Sequence, residues 1–130
     1  MPVRPASAAS VTDVVALDDD GRIGLRDAAF IHEWSPEVKL VVEVAGTWLR
    51  ITEAPRRHLG PDVHLDLRNR LSVPLSWRRQ QNLTVGSRLC LLTSPRDLEP
   101  AVHVTAAANV AAAMEIISPF GWTLPASEGR

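Results

Sequence analysis

Leu17-Asp18-Asp19-Asp20-Gly21-Arg22-Ile23-Gly24-Leu25 returns 48 residues later as Leu65-Asp66-Leu67-Arg68-Asn69-Arg70-Leu71-Ser72-Val73. Each copy keeps an aspartate, three residues, an arginine and then an apolar alternation, so each reads as strand, tight turn, strand. Gly21 and Asn69 stand just before the arginines. They are the residue types that most readily take the positive φ such a turn needs. Asp18 and Asp66 are placed to cap the turns by accepting backbone N–H groups.

Working outward, the same order of elements follows each turn. In the first copy Asp27 to Glu33 reads as a short helix ended near Ser35-Pro36, and Val38 to Val44 and Trp48 to Thr52 form a hairpin around Ala45-Gly46. In the second, Pro74 suits the first turn of a helix running Leu75 to Gln81, with Trp77 and Leu75 facing the core. Gly86, a strand Arg88 to Thr93, a loop through Pro95 and a strand Ala101 to Thr105 complete it. A unit of about 40 residues rarely buries an adequate core alone, so the copies are expected to share one and interleave their strands. The boundaries are a flexible arm rich in Pro, Ala and Ser (1–11), an acidic copy (12–55), a basic copy (56–105) and a C-terminal helix and tail (106–130). Within the last, Ala106 to Ile117 carries Val110, Met114 and Ile117 at helical spacing, and Pro119 ends it. Phe120 and Trp122 beyond it either dock on the same chain or anchor a protein partner.

Composition narrows the function classes. The chain has 130 residues, 45% hydrophobic and 22% charged, which suits one folded domain and leaves no room for separate catalytic and cofactor domains. Cys90 is the one cysteine, excluding an internal disulfide and any multi-cysteine zinc site. No apolar run reaches membrane-spanning length and the N-terminus lacks a signal-peptide core, so the expected location is the cytoplasm. Lys39 is the only lysine among many arginines, the codon bias of a GC-rich bacterial genome.

The net charge of −1 hides an uneven distribution. Residues 12–55 set four bases against nine acids, a net of −5, whereas residues 56–104 set eight arginines against four acids, a net of +4. A basic half within a neutral chain points to a polyanion, and an acidic half can approach the basic half of a neighbour.

The segment from Asp66 through Arg70, Pro74, Trp77, Arg78, Arg79 and Leu83 to Gly86 resembles the swapped-hairpin AbrB/MazE-like family of bacterial DNA-binding regulators. That family's pattern runs Asp, three residues, Arg, three mostly apolar residues, Pro, a short helix bearing an arginine pair, an apolar position and a Gly-containing turn. Two copies in one chain are similar to the tandem arrangement of MraZ proteins. The resemblance covers roughly residues 12–105 and is strong in the second copy. In the first, Arg26 takes the proline position, Phe30 and Ile31 the arginine positions, and Glu37 the glycine position after a one-residue shift. It implies a β-rich α+β fold: a tandem swapped-hairpin AbrB-like β-barrel with one short helix per copy and a short C-terminal helix.

The DNA face implied by the resemblance rests on Arg70, Arg78 and Arg79, with Arg22 and Arg26 the most the first copy can add. Guanidinium stays charged and grips phosphate oxygens, or guanine O6 and N7, through paired hydrogen bonds. Arg68, Arg56 and Arg57 are candidates for outlying phosphate contacts. The plainer reading is that Arg70 pairs with Asp66, and Arg22 with Asp18, as clasps within each turn.

Catalytic chemistry has little to work with. His32, His58, His64 and His103 are dispersed, no Gly-x-Ser-x-Gly turn surrounds Ser72 or Ser76, and no Gly-rich loop is present to cradle phosphate. No enzyme activity, metal or other cofactor is expected. The expected function is a sequence-specific regulator of transcription, bound to duplex DNA at the nucleoid and repressing by promoter occlusion. A homodimer or higher homo-oligomer would supply two basic faces for a palindromic site. Whether the copies pair within one chain or between chains is left open. So are two other readings: an antitoxin-like protein that grips a partner through 106–130, and an assembly module without DNA binding.

Overall fold

The computed structural model describes residues 11–57, 60 and 62–109. Among the described residues it is a β-rich α+β fold with a five-stranded antiparallel sheet, a two-stranded ribbon and two short α-helices. The strands are β1 (Val11–Ala16), β2 (Arg22–Gly24), β3 (Leu40–Ala45), β4 (Trp48–Glu53), β5 (Arg70–Ser72), β6 (Arg88–Thr93) and β7 (Ala101–Ala106). The helices are α1 (Arg26–His32) and α2 (Leu75–Gln80), and a 3-10 turn covers Ala107–Asn109.

Strands of the two halves are hydrogen-bonded to one another. The sheet order is β1-β6-β7-β4-β3, and the ribbon pairs β2 with β5. β1 lies antiparallel on β6, from Val11 opposite Thr93 to Ala16 opposite Arg88. The equivalent pairing in the other half is reduced to one bridge, Val63 with Leu40, closed by N–H to O bonds of 2.8 and 3.0 Å. Among the described residues, the strand expected before the second turn is therefore absent. Pro61 stands within that stretch, and a proline has no N–H to give to a ladder.

Both helices are fixed at their ends by backbone geometry. α1 has Asp27 in its first turn, favourable to the helix dipole, and stops where Glu33 turns left-handed at φ 58°. α2 follows Pro74, carries Arg78 and Arg79 in its last turn, and gives way to Asn82 at φ 56°. α1 buries Ala28 and Ala29 and α2 buries Trp77. Leu75, expected to join Trp77, is instead half exposed. Two residues along a helix are about 200° apart, so the two side chains point to nearly opposite sides.

The core lies between the five-stranded sheet and a second layer made of the ribbon and helices. Leu49, Ile51, Leu89, Leu91, Val102 and Val104 come from the sheet; Ile23, Leu71, Ala28, Ala29 and Trp77 come from the layer above. The indole Nε1 of Trp77 donates to Gly46 O at 3.1 Å, fastening α2 to the β3–β4 turn. Among the described residues, no helix is long and apolar enough to cross a membrane. Of the helix expected from Ala106 to Ile117, Ala106 instead ends β7 and Ala107–Asn109 form the 3-10 turn; the rest of it and the tail lie outside the described residues.

Candidate nucleic-acid interface

The two quoted stretches meet at the ribbon, where Arg22 faces Ser72, Ile23 faces Leu71 and Gly24 faces Arg70. Bonds at its ends repeat with an approximate twofold: Leu25 N donates to Asn69 O at 2.8 Å, and Val73 N to Gly21 O at 2.9 Å. Each turn is closed from inside by its aspartate. Asp18 Oδ1 accepts the N–H groups of Asp20 and Arg22, both at 2.9 Å. Asp66 Oδ1 accepts those of Arg68 at 2.8 Å and Arg70 at 2.9 Å. These backbone bonds, first among them those from Arg22 and Arg70, hold both carboxyls below their ordinary pKa. Gly21 and Asn69 take φ of 76° and 60°.

The arginines break the symmetry. Arg70 Nε donates to Asp66 Oδ2 at 2.8 Å, and its Nη1 reaches across the ribbon to Asp18 Oδ2 at 2.9 Å. These bonds, that to Asp66 foremost, raise the Arg70 pKa above its ordinary value. The clasp expected between Arg22 and Asp18 is made by Arg70 instead; the Arg22 guanidinium lies 3.8 Å from Asp20. Position 68 explains the crossing. Where the first turn has Asp20, the second has Arg68, so Arg70 has no second carboxylate in its own turn.

Arg78 also crosses between halves. Its Nε donates to Val73 O at 3.1 Å, and its guanidinium atoms lie 2.7–2.9 Å from where a Cβ on Gly21 would stand. Arg70 and Arg78 thus hold the fold and still keep N–H groups free, since a guanidinium has five to give. Arg79 is exposed at the end of α2. Arg26 and Arg68, one from each half, are exposed and together line a depression of about 390 Å³ with Asp13, Val15, Gly24 and Asp27. Arg56 and Arg57 are exposed in the turn after β4, and among the described residues no bond joins them to the others.

Two exposed apolar residues were not singled out from the sequence as surface features. Phe30, 76% exposed, stands at the position equivalent to Arg78 and lines an apolar depression of about 250 Å³ with Arg26, Asp27 and Ile31. Leu67, 92% exposed, tips the second turn. A large apolar residue at a turn tip, where water is unavoidable, was the available signal for Leu67.

Of the residues weighed for catalysis, His58 lies outside the described residues. His64 Nδ1 lies 2.8 Å from Pro36 O, His32 Nε2 lies 3.0 Å from Ser94 Oγ, and Ser72 and Ser76 are exposed. The carboxylates of Asp18, Asp19 and Asp20 come within 4.8 Å of one another, but Asp18 already accepts two N–H groups and Arg70. The chain matches no family model, no curated protein and no solved structure. Its own geometry therefore carries the functional argument.

Proposed function

We propose that the chain is a tandem swapped-hairpin, AbrB-like regulator that binds duplex DNA through the surface around the β2–β5 ribbon and represses by occluding a promoter. The observation that carries this reading is the gathering of arginines from both halves. Arg70 and Arg78 of the second half lie against the turn of the first, Arg22 leaves that same turn, and Arg26 and Arg68 share one depression. The crosswise pairing of strands and the two aspartate-closed turns agree with the resemblance seen in the sequence.

In this reading Arg70 and Arg78 set the spacing of the surface and offer their remaining N–H groups. Arg79, Arg68, Arg26 and Arg22 supply mobile charge for phosphates, and base contacts refine the site. Phe30 and Ile31 leave the first half short of cations, so a second chain supplies the other half-site of a palindrome.

The test is fluorescence anisotropy with duplex from upstream of the protein's own gene, over a salt series, comparing wild type with Arg68→Ala/Arg79→Ala. Neither side chain has a bond within the described fold, so the variant isolates ligand contacts. The expected result is weaker binding and a slope of log K against log salt flattened by about one to two. Equal binding and slope in both proteins would remove these residues from the interface. No binding to specific or random duplex at low salt would overturn the DNA reading.

A further inference from the structure

The five-stranded sheet has a second face that the core does not use. Alternation along the strands sends Leu49, Ile51, Leu89, Leu91, Val102 and Val104 to the core and their neighbours to the other side. Register lines these up in two rows: Val14, Cys90, Thr105, Trp48 and Ala45, then Thr12, Leu92, His103, Arg50 and Glu43. The middle of both rows is closed to water. Trp48, Leu92, His103 and Thr105 are all buried, with His103 only 2% exposed, while Val14 at one end is 49% exposed and Arg50, Ala45 and Glu43 stand open at the other. Burial also pushes the His103 imidazole down to about 4, with Arg50 adding to the effect, and raises the Cys90 thiol. β7, the central strand, is buried at all six positions and so is covered on both faces. Among the described residues, both α-helices place their buried residues in the first core, so neither accounts for this cover.

We propose that the chain's own C-terminal segment, residues 110–130, docks across this second face. The strip is buried within a single chain, which removes the need for a second copy. β7 ends in the 3-10 turn Ala107–Asn109 beside β6, so the following residues start at the sheet. They include Val110, Met114, Ile116, Ile117, Phe120 and Trp122, whereas residues 1–10 offer only Met1 and Val3 as large apolar groups. The docked segment closes a face that would otherwise be open to another chain, leaving the ribbon surface as the free one.

Cys90, the single cysteine, lies half-buried in one of the two rows and reports on the cover. The experiment measures the rate at which the full-length protein reacts with a thiol reagent, for wild type, Ile117→Asp and Trp122→Asp, at several protein concentrations. Circular dichroism checks the fold. The expected result is a slow wild-type reaction independent of concentration and a rate raised roughly tenfold or more in the variants, as loss of a protecting contact gives. Unchanged rates in folded variants overturn the proposal, and a wild-type rate that falls with concentration assigns the cover to a second copy. Should the variants unfold, amide exchange on wild type decides: protection within 110–122 supports docking, and its absence refutes it.

Discussion

The turns Asp18–Arg22 and Asp66–Arg70 are the same object in backbone and different objects in side chain. Their four equivalent turn bonds agree to 0.1 Å. Yet Arg70 spans two aspartates across the ribbon and Arg22 leans toward Asp20. An aspartate and one left-handed residue suffice to make the turn. What its arginine then does depends on the charge of a neighbour, Asp20 in one copy and Arg68 in the other. The halves diverge in the same way further on, where Arg78 and Arg79 stand opposite Phe30 and Ile31.

The largest break in that comparison is expected at the helices. Trp77 fills core space that its counterpart Ala29 leaves to others, so Trp77→Ala should cost about 3–5 kcal/mol by urea denaturation. Phe30→Ala, at an exposed site, should stay within about 0.5 kcal/mol. A cost for Trp77→Ala below about 1 kcal/mol would show that the halves do not share one core. Next come the left-handed positions: Gly21→Ala should destabilise by about 1–2 kcal/mol from its backbone, and further because the new Cβ displaces the Arg78 guanidinium, whose Nε is bonded to Val73 O. Asn69→Gly should change stability by only a few tenths of a kcal/mol. Equal effects would mean that the two turns carry different backbone strain.

The smallest expected effects separate the arginines. The lowered pKa values of Asp18 and Asp66 mean that their ionised forms favour the fold above their unfolded pKa of about 4, and that this contribution is lost as pH falls through the lower folded values. Arg70→Ala should lower the thermal midpoint by a few degrees and move acid unfolding to higher pH, but only part of the way, since backbone N–H groups do most of the lowering. Arg22→Ala should leave both unchanged. Acid titrations followed by circular dichroism at fixed ionic strength check this, and identical curves for the two variants would dissolve the distinction.

Much of the fold was legible locally. The repeated aspartates with Gly21 and Asn69 marked the turns, and the helix bounds were readable because Pro36, Pro74 and the left-handed residues interrupt the chain. That the halves interleave follows from their small size; the side-chain bonds that lock them together were not legible. Nothing in the spacing of Asp18 and Arg70 announces a 2.9 Å bond between residues 52 apart. It follows from the ribbon's register together with the absence of an acid at position 68. Leu75 faces away from Trp77 because the helix angle, not hydrophobicity alone, sets which side is buried, and Pro61 withholds the N–H that a strand before the second turn would need. Of the candidate surface, the residue types were visible. Which cations stay mobile and which are committed to the fold became visible only in three dimensions.

The pairing of β1 with β6 has a consequence for how the protein is made. β1 leaves the ribosome before β6, and its partner ends at Thr93, so some eighty residues must follow before the ladder can close. Ribosomes add roughly 5–20 residues per second, so the strand waits several seconds with its edge unpaired. Thr12, Asp13 and the polar stretch that follows β1 keep that nascent edge from being wholly apolar, as strands that must wait for a partner require.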